Sequence, residues 1–191
     1  MEDKDIYFLS IMKKCQAVLE GHFLLSSGLH SNKYFQCAQL FQYPDESAKL
    51  MQELATKIPH QVDVVIGPAL GGIIMAYELA RFLKARAIFA EREGLEMRLR
   101  RNFHINHGEK VIVAEDVVTT GKSTMEVIKI VENLGGDIKG ITCVIDRRNP
   151  EIKLLFPVYS LIKIEVETYK PEECPLCLLG SSAVKPGSRG I

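Results

Sequence analysis

The sequence shows no excess of charge of either sign, no long apolar run and no features of an export signal. Lys and Arg number 24 and Asp and Glu also number 24, so the formal net charge is zero. A neutral chain is unlike a dedicated nucleic-acid or membrane-surface protein. The longest apolar runs fall far short of the roughly 20 residues that span a bilayer. Residues 1–5 are acidic and lack the basic-then-apolar order of a signal peptide, so we expect a cytoplasmic protein.

Disulfide bonds and repeats are also not expected. The five cysteines are an odd number, and Cys15, Cys37 and Cys143 are scattered along the chain. No internal repeat or low-complexity segment is visible in the sequence. A chain of 191 residues with 47% hydrophobic residues can bury a substantial core. These values predict one domain with at most a small appendage.

The most informative stretch covers residues 111–124. Four apolar residues lead directly into two carboxylates, Glu115 and Asp116, which we call the acidic pair. Residues 119–123 form a turn rich in hydroxyl groups, the hydroxyl turn, and an apolar stripe at helical spacing predicts a helix after it. Free backbone N–H groups and the helix dipole make such a turn a site for anions, most often phosphate. Hydroxyl donors are available from Thr119, Thr120, Ser123 and Thr124, and Gly121 allows close approach of the backbone.

The acidic pair requires a different target, because two carboxylates repel a phosphate group. Sugar hydroxyls or a divalent cation suit it, and a ribose 5-phosphate fits both halves of the stretch. Two other phosphate motifs are excluded. A Walker A loop needs glycine where Asp116 stands, and no Gly-x-Gly-x-x-Gly follows the strand.

Strands and helices alternate through most of the chain. The pattern predicts strands at 62–66, 86–90, 111–114, 140–145 and 158–166, and helices at 5–20, 45–58, 73–84 and 123–134, with a short helix after Pro150. A hairpin is predicted within residues 22–37, and Asp45 is a candidate N-cap. This alternation indicates an α/β fold with a mostly parallel, doubly wound sheet.

Ligands of such a sheet bind at the carboxyl ends of its strands, where three further loops lie. The glycine loop, residues 67–72, either offers backbone N–H groups to an anion or is only a tight turn. The arginine segment, residues 91–104, is long enough to be a mobile lid, although its arginines could instead pair with its own glutamates. We expect His104 within it to be structural. Arg147 follows the strand at 140–145 and could bind an anionic ligand.

The C-terminal tail contains one Cys-x-x-Cys pair, Cys174 and Cys177. One such pair is half of a zinc site, and no second pair and no His-x-His spacing accompanies it. A metal would need ligands from a partner chain or from a distant part of this chain. We therefore expect an inert tail, with metal binding and redox chemistry as alternatives.

The acidic pair and the hydroxyl turn resemble the phosphoribosyl-pyrophosphate (PRPP) motif of the type I phosphoribosyltransferases. Three other segments look like those of the orotate phosphoribosyltransferases, namely residues 21–35, the glycine loop and Asp146-Arg147. The resemblance implies the type I fold with a small N-terminal hood. It divides the chain into residues 1–42 as N-terminal helix and hood, 43–170 as core and 171–191 as tail.

This resemblance also implies an activity and a set of partners. The expected reaction is transfer of 5-phosphoribosyl from PRPP to orotate, which gives orotidine 5′-monophosphate and pyrophosphate in de novo pyrimidine synthesis. It is expected to depend on Mg²⁺ and to occur in a homodimer whose lid reaches into the neighbouring active site. Alternatives are a type I enzyme for a different base, or a non-catalytic PRPP-sensing regulator.

Site residues follow from the same resemblance. The expected PRPP-binding residues are Pro68, Ala69, Leu70, Gly71, Gly72, Glu115, Asp116, Val117, Val118, Thr119, Thr120, Gly121, Lys122 and Ser123. Orotate is expected to contact Thr119, Arg147 and the backbone at Tyr34 and Phe35, whose side chains are expected to pack in the core. The expected catalytic residues are Arg92, Arg98, Arg100, Arg101 and Asp116. No direct protein ligand to the metal is expected, because PRPP carries Mg²⁺, near Glu115 and Asp116.

The sequence departs from many relatives at cationic positions. Ser26 and Leu70-Gly71 stand where many relatives carry lysines. The arginine segment contains arginines where many relatives have lysines and a histidine. We therefore expect the arginines to perform the cationic task.

Overall fold

The computed structural model describes residues 3–25, 27–59 and 61–186. Two compact units divide the chain: the sheet unit, Phe41–Ile164, and the terminal unit, Met1–Leu40 with Glu165–Ile191. The helices are α1 Asp3–Lys14, α2 Ala38–Phe41, α3 Pro44–Thr56, α4 Gly71–Leu83, α5 Lys122–Asn133 and α6 Pro175–Leu178. The strands are β1 Val18–Leu24, β2 His30–Phe35, β3 Val64–Pro68, β4 Arg86–Glu93, β5 Glu96–Leu99, β6 Lys110–Val118, β7 Asp137–Asp146, β8 Val158–Lys163 and β9 Thr168–Tyr169. No described helix has the length and apolar composition needed to cross a membrane.

The sheet unit is built on six strands in the order β5-β4-β3-β6-β7-β8. All neighbouring strands are parallel except β4 and β5. Strand β3 is buried at every position, as expected for a central strand that helices cover on both faces. Helix α5 packs Val127, Ile128 and Val131 into the same core. The predicted α/β fold with a mostly parallel sheet is confirmed.

Four expectations for this unit were wrong in detail. Strand β6 continues to Val118, so the acidic pair lies inside a strand, because pairing with β7 extends that far. The arginine segment is not irregular throughout, since β4 and β5 form an antiparallel hairpin that turns at Gly94 (φ 63°). Helix α3 has Tyr43 as N-cap instead of Asp45, because proline occupies its first position. After Pro150 the described residues form only a single turn, closed by the Ile152 N–H.

The terminal unit contains helix α1 and a three-stranded antiparallel sheet in the order β1-β2-β9. The predicted hairpin is confirmed as β1 and β2. The predicted helix over 5–20 was too long, because Gln16 adopts a left-handed conformation (φ 56°). The N–H groups of Gln16 and Ala17 bond to Lys13 O and Met12 O, which is a Schellman ending. Without glycine at this position, the sequence carried no stop signal. A further difference lies in the sheet unit, where the last strand, predicted over 158–166, ends at Lys163.

Candidate active site at the carboxyl edge of the sheet

The acidic pair lies near the carboxyl end of the central strand β6. Both side chains are half-buried, and the Thr124 hydroxyl donates a hydrogen bond to Glu115. Burial raises the pKa of Glu115, the charges of Asp116 and Glu126 raise it further, and hydrogen bonds from Thr124 and Ser123 oppose this. Burial also raises the pKa of Asp116, while a 3.0 Å hydrogen bond from the Val117 N–H lowers it. Two adjacent carboxylates held at such a cost indicate a functional site.

The glycine loop lies directly against the acidic pair. A Cβ atom on Gly71 would stand 2.7 Å from Asp116 Oδ2, and a Cβ atom on Gly67 would stand 2.3 Å from the carbonyl oxygen of Gly72. Any side chain at these positions would displace the carboxylate or the backbone. The loop therefore needs glycine because β3, β6 and the first turn of α4 approach one another closely.

The hydroxyl turn opens helix α5. Gly121 is the N-cap with φ 72°, a left-handed conformation that suits glycine, and it provides no side-chain cap. Thr119, Thr120 and Lys122 are exposed, so hydroxyl and ammonium groups surround the positive end of the helix dipole. Thr124 does not join them, because it is fully buried and its hydroxyl binds Glu115. The turn thus keeps the character of an anion site, with Thr124 as a support for the acidic pair.

The four arginines of the arginine segment that were expected to be catalytic all form ion pairs. The pairs are Arg92 with Glu126, Arg98 with Glu93 and Glu96 at 3.4 and 2.7 Å, Arg100 with Glu93 at 3.5 Å, and Arg101 with Glu91 at 3.1 Å. The four arginine side chains are 40–60% exposed, so each ion pair contributes little to stability. Pairs of this kind can exchange for a bound anion at low cost. The side chain of His104 is exposed, and its carbonyl oxygen accepts from Arg86.

Asp146, the last residue of β7, forms an ion pair with Arg148 that was not predicted from the sequence. Arg148 forks onto buried Asp146, with Nε 2.9 Å from Oδ1 and Nη2 2.7 Å from Oδ2. Burial acts to raise the pKa of Asp146, but the Arg148 fork and charge outweigh it and the pKa is lowered. The i, i+2 spacing of the two residues was the available signal. Arg147 is half-buried beside them, and its N–H donates to Val118 O at 2.8 Å.

The structure gathers most of the predicted site residues on one unit. The acidic pair, the glycine loop and the hydroxyl turn adjoin one another, and Arg147 follows the neighbouring strand β7. Tyr34 and Phe35 belong to β2 of the terminal unit, where Phe35 is buried and the Tyr34 hydroxyl donates to Gln36 Oε1 at 3.1 Å. Ser26 lies outside the described residues.

Comparisons with known proteins agree with this geometry. Residues 38–175 match the family model for the phosphoribosyl transferase domain. The chain is 53% identical over 184 residues to the orotate phosphoribosyltransferase of Caldanaerobacter subterraneus subsp. tengcongensis. The aligned region covers 96% of this chain and 97% of the relative. It is also 53% identical over 188 residues to the orotate phosphoribosyltransferase of Carboxydothermus hydrogenoformans, with 97% of both chains covered.

A solved structure extends the similarity to three dimensions. The orotate phosphoribosyltransferase from Aeropyrum pernix superposes with a TM-score of 0.70 at 26% identity, over 81% of this chain and 92% of that chain. The family match spans well over half of the sequence, and the two relatives are similar along almost their full length. The chain therefore belongs to the orotate phosphoribosyltransferase family.

Proposed function

We propose that this protein transfers the 5-phosphoribosyl group of PRPP to orotate, releasing pyrophosphate and giving orotidine 5′-monophosphate. The observation that carries the proposal is the close packing of Gly71 against Asp116, which unites the glycine loop and the acidic pair at one sheet edge. The hydroxyl turn begins three residues after Asp116 on the same strand-to-helix connection. A ligand with a phosphate, a diol and a pyrophosphate has a matching partner for each part. The names of the two 53%-identical relatives support orotate as the acceptor.

The ribose and its 5-phosphate are assigned to β6 and α5. Glu115 and Asp116 would accept hydrogen bonds from the ribose hydroxyls, which are donors that two carboxylates can share. Residues 117–123 would hold the 5-phosphate through backbone N–H groups, the hydroxyls of the turn and the dipole of α5. The buried Thr124 would fix the orientation of Glu115.

The pyrophosphate is assigned to residues 68–72 and the arginine segment. In the reaction the C1–oxygen bond breaks, its electron pair leaves with pyrophosphate, and a ring nitrogen of the base bonds to C1 and loses its proton to solvent. No nucleophilic side chain is needed, so the protein must position the reactants and stabilise the charge on the leaving group. Arg92, Arg98, Arg100 and Arg101 would exchange their glutamate partners for pyrophosphate oxygens.

The base is assigned to Arg147 and Thr119 at the adjacent strand ends. Orotate carries a carboxylate, and a guanidinium can bind it with two parallel hydrogen bonds. Arg148 forms a fork with Asp146, and the resemblance assigns Arg147, the residue between them, to the substrate carboxylate. The assignment of Tyr34 and Phe35 to orotate stays a prediction.

Magnesium is the expected metal of the reaction, as in phosphoribosyltransferases generally. The acidic pair fits this cation, because Mg²⁺ prefers oxygen ligands and its charge would offset the cost of two half-buried carboxylates. Bound with PRPP, Mg²⁺ would supply charge neutralisation on the pyrophosphate. PRPP oxygens would provide most of its ligands, with Glu115 and Asp116 nearby.

The proposed homodimer with shared lids can be tested by complementation. A subunit carrying Asp116→Asn is co-expressed with one carrying Arg100→Ala and Arg101→Ala. If each lid serves the neighbouring site, one of the two sites in the mixed dimer is intact and activity returns. A lid that serves its own subunit leaves both sites defective, and the mixed dimer would be no more active than its parents.

The orotate reaction itself is tested with purified enzyme, PRPP and Mg²⁺. We expect orotate-dependent formation of orotidine 5′-monophosphate with an equal amount of pyrophosphate. Binding of PRPP without turnover of any base would instead indicate a regulator. Both products are measured in the same sample, so hydrolysis of PRPP alone is distinguished from transfer.

A further inference from the structure

Four side chains that the proposed reaction does not use meet inside the terminal unit. They are His22 of β1, His30 of β2, and Cys174 and Cys177 around α6. Their nitrogen and sulfur donor atoms all lie within 4.8 Å of one another. His22 and Cys174 are 152 positions apart in the sequence, so only the fold brings them together. The two histidines are therefore candidates for the distant ligands that a metal at the Cys-x-x-Cys pair would need.

The distances within this His₂Cys₂ cluster match one metal centre. Zn–S bonds of about 2.3 Å and Zn–N bonds of about 2.0–2.1 Å, at tetrahedral angles, place nitrogen and sulfur ligands roughly 3.5 Å apart. Cys174 Sγ lies 3.5 Å from His22 Nε2, and Cys177 Sγ lies 3.8 Å from His22 Nε2 and 3.3 Å from His30 Nδ1. The two ring nitrogens are 2.9 Å apart. One ion at the centre would reach all four donors with small movements.

The surroundings of the His₂Cys₂ cluster are those of a closed structural site. His22, His30 and Cys174 are buried, and all five cysteines of the chain are free thiols. The second ring nitrogen of His22, Nδ1, lies 3.1 Å from Ser181 Oγ. A partner on the outer nitrogen is how proteins fix the ring orientation of a metal-bound histidine.

The backbone also brings the tail to β1 at this point. Val184 donates to the carbonyl oxygen of His22 at 2.9 Å and accepts from the N–H of Leu24 at 2.8 Å. Within the tail, the N–H groups of Leu178 and Gly180 bond to the carbonyl oxygens of Cys174 and Cys177. The two cysteines are thus held on one compact turn that faces the hairpin.

We propose that His22, His30, Cys174 and Cys177 bind one Zn²⁺ ion as a tetrahedral structural site. Two thiolates and two imidazoles suit zinc, whereas Mg²⁺ requires oxygen ligands, so the site is distinct from that of the reaction metal. Four protein ligands leave no open position, which assigns the ion a structural role. The site ties the C-terminal tail to the hairpin. It also stabilises the terminal unit, which is too small to gain much stability from a hydrophobic core alone. It replaces the expectation of an inert tail and does not depend on the proposed reaction.

The zinc content of the full chain tests the proposal. The protein is purified under reducing conditions without chelators, and metals are measured by plasma mass spectrometry. We expect one zinc ion per chain, and modification of the thiols with an organomercurial should release it to a chromogenic indicator. Reconstitution with Co²⁺ should give the visible absorption of a tetrahedral thiolate–imidazole site. Wild-type protein that retains no stoichiometric zinc, even after incubation with Zn²⁺, would overturn the proposal.

Variants separate this site from nonspecific binding. Cys174→Ser and Cys177→Ser should each lose most of the zinc, while Cys37→Ala, in the same unit but outside the cluster, should retain it. Chelation should lower the Tm of the wild type and leave that of soluble Cys177→Ser unchanged. If the serine variants do not fold, the thiol-release and cobalt measurements on the wild type still decide. A Cys174–Cys177 disulfide with no zinc under the reducing conditions would also contradict the site.

Discussion

Replacing Asp116 by Asn should stabilise the free protein while it damages the reaction. The Asp116 carboxylate is half-buried, next to Glu115, and burial raises its pKa. For an acid whose pKa is higher in the folded than in the unfolded state, the cost to stability grows as the pH rises above the unfolded pKa and is complete above the folded pKa. That cost is absent at pH values below the unfolded pKa. At neutral pH the cost is present, and an amide of the same shape removes it while still accepting from the Val117 N–H.

The two effects have opposite signs and separable sizes. A difference of one pH unit between the folded and unfolded pKa corresponds to about 1.4 kcal/mol in the free energy of unfolding. Each added kcal/mol of stability raises the Tm of a protein of this size by about 2–4 °C. Loss of a charge-assisted hydrogen bond to the ribose costs about 1–3 kcal/mol. That loss corresponds to a fall in kcat/KM of about 5- to 150-fold.

Thermal unfolding and PRPP titration measure both effects on the same preparation. Glu132→Gln is the matched control, because this carboxylate is exposed on α5, and it should change neither the Tm nor PRPP affinity. In the wild type, PRPP affinity should fall as the acidic pair becomes protonated, at a pH above the ordinary carboxyl range of about 4. A less stable Asp116→Asn protein with unchanged turnover would contradict this prediction, because the carboxylate would then be structural.

Three further predictions follow from the site geometry. Gly71→Ala should reduce PRPP affinity by about tenfold or more, because the added Cβ displaces a carboxylate 2.7 Å away, and isothermal titration calorimetry measures this. Arg101→Ala should lower kcat much more than it weakens orotate binding, because its charge acts on the leaving group; steady-state kinetics and orotate titration separate the two. Arg148→Met should destabilise the fold by about 3–5 kcal/mol in urea unfolding, because it removes the guanidinium that forks onto buried Asp146. Since the pKa of Asp146 is lowered, the wild-type contribution is present above the unfolded pKa of about 3.9 and is lost as the pH falls through the folded pKa.

Each of these three changes has a control. Gly108→Asn also replaces a glycine (φ 79°), but no atom lies within 4 Å of its added Cβ, so PRPP affinity should not change. Arg81→Ala removes an exposed arginine that pairs with Glu78 on α4, and kcat should not change. For the buried pair, adding Asp146→Asn to Arg148→Met should recover most of the lost stability. Failure of this recovery would mean that Arg148 stabilises the fold by packing alone.

Periodicity in the sequence was sufficient for the fold of the sheet unit. Strand β3 is apolar throughout, β6 contains the apolar run 111–114, and the stripe on α5 has helical spacing, so these elements could be predicted from local patterns. The end of α1 could not, because Gln16 adopts the left-handed conformation in a Schellman ending that usually contains glycine. Strand β5 is short and charged, and only its pairing with β4 defines it.

The candidate site was partly predictable for the same reason. The acidic pair and the glycine loop lie next to strands, so the general rule for parallel sheets places them together. The hydrogen-bond partners were harder to predict, because Thr124 binds Glu115 nine positions before it, and the side chain that Arg148 binds, Asp146, could equally have paired with Arg147. The His₂Cys₂ cluster joins residues up to 155 positions apart, and no spacing pattern in one segment reveals it.

A competition among bases tests whether orotate is the acceptor of this enzyme. The enzyme is given PRPP, Mg²⁺ and equal concentrations of orotate, uracil, adenine and guanine, and the nucleotide products are identified by mass spectrometry. We predict that orotidine 5′-monophosphate is the dominant product, in an amount equal to the pyrophosphate released. Formation of a uracil, adenine or guanine nucleotide without orotidine 5′-monophosphate would contradict it.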